Sequence, residues 1–239
     1  MPYLLLQRTQ YLRFPRQRWC TRLFSATNRL VGRPANDCFG CPLFKPAVTI
    51  EALLRRPAVR AAYSADLRRD FETIMPHLPQ PCRQVLDIGC GIAGIDVLLH
   101  RHLDTGIETL HLLDKSAVAR QIYYGFNATG AFYNSLSVAR GVLSANGVPA
   151  SRVRTLDATP DNGIPIEGPL DLIISILSWG FHYPVRTYLE RAHALLRPGG
   201  RLILDVRKGQ DGEALLERRF GRLQVALDMG GAVRVVATK

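Results

Sequence analysis

The stretch Val85-Leu86-Asp87-Ile88-Gly89-Cys90-Gly91-Ile92-Ala93-Gly94 decides the fold. A short apolar run closes on an acid, breaks into glycines, and resumes as a helical pattern through Asp96, Val97, Leu98 and Leu99. That order reads as a strand, a tight turn and a helix N-terminus, the place where an open α/β sheet binds a nucleotide-like ligand. Glycines permit the sharp turn and the close approach of a ligand, and the first helical turn offers unpartnered N–H groups. The spacing Gly89-x-Gly91-x-x-Gly94 is also the fingerprint of dinucleotide binding, so the loop alone does not choose its ligand.

Outward from this loop, strands and helices alternate. Strands are expected over 84–88, 109–113, 152–156, 170–177 and 201–206, with helices over 92–102, 135–145, 185–196 and 212–219. Two closing strands, 222–227 and 232–238, are joined by Asp228-Met229-Gly230-Gly231, which reads as a hairpin turn. Alternation of this kind gives a mostly parallel sheet covered by helices on both faces. Upstream, Ile50, Leu53 and Leu54, then Val59, Ala62, Tyr63, Leu67, Phe71 and Ile74, recur at helical spacing on either side of Pro57. The chain is thus read as a basic arm and connector over 1–48, N-terminal helices over 49–82, and an α/β domain over 83–239.

The chain has 239 residues, 47% of them hydrophobic, and a net charge of +11. That is enough for one sizeable core with an appendage. No apolar run reaches the length of a membrane span, and five cysteines without a framework rhythm fit a reducing compartment, so a cytoplasmic protein is expected. The charge is concentrated at the front: residues 1–36 hold seven arginines and no acid. Three readings stand for that arm: a solvated basic segment, a contact for nucleic acid or acidic lipid, and an organellar presequence. Cys38-Phe39-Gly40-Cys41 supplies two of the four ligands of a structural zinc, but no second pair follows, so no metal is expected.

Three features separate the possible ligands of the glycine loop. Asp87 lies two residues before the first glycine, where a carboxylate suits a ligand carrying an ammonium group and a pyrophosphate does not. Asp157-Ala158 closes the third strand and offers an acceptor for an adenine amino group. Leu196-Arg197-Pro198-Gly199-Gly200-Arg201-Leu202 stops a helix and turns tightly into the fifth strand. Asp114, twenty residues after Gly94 at the end of the second strand, is placed for ribose hydroxyls with either ligand.

On these residues, the chain from about 84 to 239 resembles the class I S-adenosylmethionine-dependent methyltransferases. Val85–Gly94 matches the first motif of that superfamily, Asp114 its ribose acid, Asp157 its adenine-side acid, and Leu196–Leu202 its turn before strand five. The resemblance implies a Rossmann-like three-layer α/β/α sandwich whose seven-stranded sheet ends in an antiparallel strand. It implies S-adenosylmethionine as cofactor, held by Asp87, Gly89, Cys90, Gly91, Gly94, Asp114, Lys115, Asp157, Ala158 and Ser175.

The methyl acceptor is expected beyond the fourth strand, in Ser175-Ile176-Leu177-Ser178-Trp179-Gly180-Phe181-His182-Tyr183-Pro184. His182 is the expected general base, its ordinary pKa lying near neutrality, with Tyr183 beside it. Ser178 and Trp179, with Tyr124, Asn127 and Tyr133 from the long connection after Asp114, are expected to touch a small polar acceptor. The Asn/Asp-Pro-Pro-aromatic motif of enzymes acting on adenine or glutamine amides is missing, which favours a hydroxyl, such as that of a sugar. RNA methylation through the basic arm, an NAD(P)-dependent oxidoreductase, and a binding module without catalysis stand as alternatives. Oligomeric state has no signature in the sequence.

Overall fold

The structure, a computed structural model, describes residues 4–5, 9–14, 17–32, 41–103, 106–117 and 134–239. These form two compact units, one running up to Asp66 and also taking in Ala117 and Asn134, the other spanning 67–116 and 135–239. Among the described residues no helix is long and apolar enough to cross a membrane, and no group of three His, Cys, Asp or Glu side chains is placed to hold a metal ion.

The first unit contains α1 (Arg18–Leu30), α2 (Phe44–Leu54) and the opening turns of α3 (Arg56–Ile74). Leu4, Leu5, Leu12, Phe24, Phe44, Val48 and Ala52 are buried. Glu51 is fully buried among arginines. Its carboxylate accepts the backbone N–H groups of Arg13 at 2.6 Å and Phe14 at 2.9 Å and pairs with Arg55, one helical turn on. Cys20 and Cys41 are buried free thiols; Cys38 lies outside the described residues.

The second unit is built on a seven-stranded sheet in the order β3-β2-β1-β4-β6-β8-β7. The strands are β1 (Gln84–Ile88), β2 (Thr109–Asp114), β3 (Val153–Asp157), β4 (Leu170–Ser175), β6 (Leu196–Arg207), β7 (Gln224–Asp228) and β8 (Ala232–Thr238). The pairs among β1, β2, β3, β4 and β6 are parallel; β8 runs antiparallel to both β6 and β7. A further strand, β5 (Ser178–Tyr183), lies outside this order. Successive side chains of a strand point to opposite faces. Leu172, Ile174 and Ile203 therefore join one apolar cluster, with residues of α3, α4 (Gly94–Leu103) and α5 (Leu136–Ala145). Ile173, Leu202 and Leu204 join the other, with α6 (Leu189–Leu195) and α7 (Gly212–Phe220). Every residue of β4 is buried, as expected of a central strand covered on both faces.

Several elements depart from their sequence-based bounds for local reasons. The helix after the glycine loop starts at Gly94 rather than at 92, because Gly91 (φ 56°) and Ala93 (φ 59°) are left-handed. The run expected as one strand over 170–177 ends at Ser175. Leu177, at φ 54°, then turns the chain into β5, so the acceptor-side stretch is a strand and not a loop. The expected helix over 185–196 is a short helical turn, Val185–Thr187, followed by α6.

A buried ion pair joins these parts. Arg234 on β8 and Asp205 on β6 are fully buried and stand opposite each other in the antiparallel register. They form two bonds, Nε to Oδ1 at 2.7 Å and an Nη to Oδ2 at 3.0 Å. Arg234 also donates to Thr73 Oγ1 at 2.7 Å and to the Asp70 carbonyl at 3.1 Å on α3, while Asp205 accepts the Leu177 N–H at 3.0 Å. Removing one partner of such a pair strands a buried charge. Arg234→Met is therefore expected to cost about 3–5 kcal/mol of stability. Urea unfolding should show that loss, and combining it with Asp205→Leu should recover part of it.

Candidate functional site

The parallel register brings the carboxyl ends of β1, β2 and β3 into one row, with Ile88 opposite Leu113 and Asp114 opposite Asp157. The glycine loop leaves β1 and folds back over β2. Gly89 N–H donates to the Leu113 carbonyl at 2.7 Å, and Gly91 N–H donates to Asp114 Oδ2 at 2.9 Å. Asp114 Oδ1 accepts the Lys115 N–H at 2.7 Å. Each oxygen of this carboxylate thus has a backbone donor.

Gly89 is required at its position twice over. Its φ is +77°, and a Cβ placed there would lie 1.9 Å from Ser178 Oγ and 2.4 Å from Ser178 Cβ. The start of β5 therefore sits directly on the glycine loop. Ser178 Oγ lies 3.4 Å from the Tyr183 hydroxyl, which brings the far end of β5 to the same place. Burial, together with the neighbouring Tyr188, holds the Tyr183 phenol well above its ordinary pKa, so it stays protonated. Tyr188 is pushed up to about 12, by burial first and then by Asp114 and Asp161.

Two acids sit beneath the loop. Asp87 is 5% exposed and Asp96, in the first turn of α4, is fully buried. Burial raises the pKa of both, and the two carboxyl groups face each other, with Asp114 adding negative charge near Asp87. The Cys90 thiol is raised as well, by burial and then by Asp114, Asp87 and Asp96, and is held in its neutral form.

Asp157 is exposed at the end of β3 and accepts the Ser116 N–H at 3.1 Å; Ala158 N–H donates to the Asp114 carbonyl at 2.9 Å. Ser175 has its hydroxyl engaged inside the fold. It donates to the Ile88 carbonyl at 2.6 Å and accepts the Trp179 N–H at 3.0 Å, pinning the start of β5 to the end of β1. Trp179, expected to touch an acceptor, is fully buried, its Nε1 donating to the Val185 carbonyl at 2.9 Å. Packing on the second apolar cluster explains this placement. His182 is partly buried, its ring edge-on to Phe181 with centroids 4.9 Å apart, while Phe181 lies under the Arg207 guanidinium at 4.8 Å. Tyr124, Asn127 and Tyr133 lie outside the described residues.

Sequence patterns did not single out Asp96, Asp205 or Gly180. Gly180 has φ +81°, and a Cβ there would be 2.7 Å from the Asp205 carbonyl oxygen. Asp96 carries one local signal, an acid between Ile95 and Val97 on a buried helix face.

No family model and no curated protein matches the sequence. Solved structures do match. A protein of Nostoc punctiforme PCC 73102 with the provisional name O-methyltransferase superposes with a TM-score of 0.50 at 17% identity, over 72% of this chain and 56% of its own. The 16S rRNA methyltransferase of T. thermophilus, in complex with AdoMet and guanosine, gives 0.49 at 21% identity, over 74% of this chain and 42% of its own. Magnesium protoporphyrin IX methyltransferase of Synechocystis PCC 6803, with bound SAM, gives 0.48 at 15%, over 76% and 81%. This chain spans less than two thirds of the first two proteins. The superposition on the Nostoc punctiforme protein shows a shared fold, here a Rossmann-like seven-stranded sheet covered by helices with β8 antiparallel.

Gly89→Ala tests the contact between loop and strand. It is expected to destabilise the protein by about 1–2 kcal/mol from the left-handed backbone alone, plus the clash with Ser178. Adding Ser178→Gly should relieve the clash and not the backbone cost, so thermal unfolding should show partial recovery.

Proposed function

We propose that the chain is an S-adenosylmethionine-dependent methyltransferase acting on a hydroxyl of a small polar acceptor. The observation that carries this reading is the buried Asp87 carboxyl under the glycine loop, acted on, among the described residues, by Asp96 and Asp114 and by no cation. A pyrophosphate at that loop would add negative charge to buried acids. An amino-acid ammonium would supply the missing positive partner.

The residues present fit such a donor. Asp87 holds the ammonium, and the backbone at Gly89, Gly91 and Gly94 gives room for close approach. Asp114, fixed by the Gly91 and Lys115 N–H groups, accepts ribose hydroxyls. Asp157 and Ala158 face the adenine edge, and Cys90 lines the loop as a neutral thiol. When bound, S-adenosylmethionine supplies a methyl group already activated on a sulfonium. The protein then has mainly to hold donor and acceptor in line.

On the acceptor side, His182 takes the hydroxyl proton. Ser178 and Tyr183 present hydroxyls beside the loop, and the protonated Tyr183 serves as a hydrogen-bonding group rather than a base. Ser175 and Trp179 act by fixing β5, not by touching substrate. One observation favours RNA as a second acceptor class: residues 1–66 carry eleven basic against three acidic side chains.

A labelled-methyl assay across sugars, hydroxylated metabolites and RNA tests the acceptor; label on RNA alone would replace the hydroxylated small molecule. His182→Ala is expected to lower turnover by about 10²–10⁴-fold with S-adenosylhomocysteine affinity unchanged. Asp114→Ala should weaken S-adenosylhomocysteine binding by about 10–100-fold in calorimetry, the value of a charged hydrogen bond.

A further inference from the structure

Asp96 has no part in the contacts assigned above, yet it is the most deeply buried acid of the site. It has no solvent exposure, and neither carboxyl oxygen accepts a hydrogen bond of ordinary geometry from the described residues. The groups that approach it are its own backbone N–H and the carboxyl of Asp87. Asp87, in contrast, keeps a sliver of exposure. Asp96 is thus the more enclosed of the two.

Two carboxyl groups that face each other in a dry site cannot both ionise without a positive partner. The other titratable groups bearing on Asp87 offer none. Asp114 at the end of β2 is an acid, Cys90 in the loop is a thiol, and Tyr183 on β5 is a phenol. Among the described residues no cation faces the pair, which leaves a proton, and two facing acceptors can hydrogen bond to each other only through it.

We infer that Asp87 and Asp96 form a proton-exchange site, in which the ammonium of the donor's amino-acid end displaces the proton that the two carboxyls share. The inference rests on the donor reading above. Asp87 touches the ligand, and Asp96 is a positioning residue that acts through it. The exchange balances: one ammonium enters, one proton leaves to solvent, and the charge of the buried site is unchanged. A protein built this way binds its donor with an affinity set by pH. Both carboxyls have raised pKa values, Asp96 to about 7, so the shared proton is held more firmly as pH falls and donor affinity is lost in that direction.

The test is calorimetry on the full chain with S-adenosylhomocysteine, across pH and in buffers of different ionisation enthalpy. The expected result is release of up to one proton per ligand near neutrality, with affinity rising by up to about tenfold per pH unit as pH climbs toward 7. Methylthioadenosine, which lacks the amino-acid end, should bind with no such slope. Asp96→Asn removes the carboxyl that shares the proton with Asp87 and should flatten the S-adenosylhomocysteine profile while binding persists. Asp96→Leu, similar in size and apolar, should do the same and guards against an effect peculiar to the amide. A merely structural Asp96 would leave the slope in both variants. Binding of S-adenosylhomocysteine with a flat profile and no proton release in the unaltered protein overturns the inference alone. An equal slope with methylthioadenosine also overturns it. No binding at any pH overturns the donor reading, and the inference with it.

Discussion

The buried pair between Asp205 and Arg234 is the interaction on which most of the second unit depends. Taking two charges out of water is costly, and an apolar pair of similar volume often does as well for stability. What apolar residues do not supply is direction. Arg234 reaches from β8 to Asp205 on β6 and to Thr73 and the Asp70 carbonyl on α3. Asp205 in turn accepts the Leu177 N–H, which fixes the turn that launches β5. A slip of one residue between β6 and β8 would move Arg234 to the other face and break all of these contacts at once. The register of the C-terminal strands and the position of β5 are thus set by one buried ion pair.

That dependence marks the boundary of what the sequence discloses. Alternating apolar runs, the glycine loop and the Pro-Gly-Gly turn are local signals, and from them the parallel strands and helices are legible to within a few residues. The acids at the ends of β1, β2 and β3 are legible for the same reason, because each closes an apolar run. The turn at Leu177 is not. Its left-handed backbone sits in an apolar stretch and is stabilised by an acid 28 residues later, so periodicity extends β4 through it. Trp179 misleads in the opposite way. An indole beside a histidine and a tyrosine reads as a binding group, yet the turn directs it into the core, where its N–H meets the Val185 carbonyl. Asp96 is hidden because an acid in the first turn of a helix is unremarkable until the partner strand is in place.

Charge is divided across the two sides of the glycine loop. Beneath it lie Asp87, Asp96 and Asp114; above it lie Ser178 and Tyr183, neutral hydroxyls in contact with each other. Asp114 accepts the N–H groups of Gly91 and Lys115. Among the described residues, the side chain that faces each of the other two acids most closely is the other acid. The dry setting that makes their repulsion severe would also make the attraction of a cation strong, since the same low dielectric acts on both.

Gly89 is where these two sides meet. A side chain there would strike Ser178 and strain the turn, so the approach of β5 to the loop and the left-handed backbone have one cause, the absence of a Cβ. The hydroxyl of Ser175 adds the second tie, linking the Ile88 carbonyl to the Trp179 N–H. With β5 held at its root by Ser175, at its turn by Asp205 and at its contact by Gly89, the side chains that follow are presented on a rigid element. Precision of that kind matters most for a reaction whose reagent arrives already activated, because alignment is then the main thing left for the protein to provide.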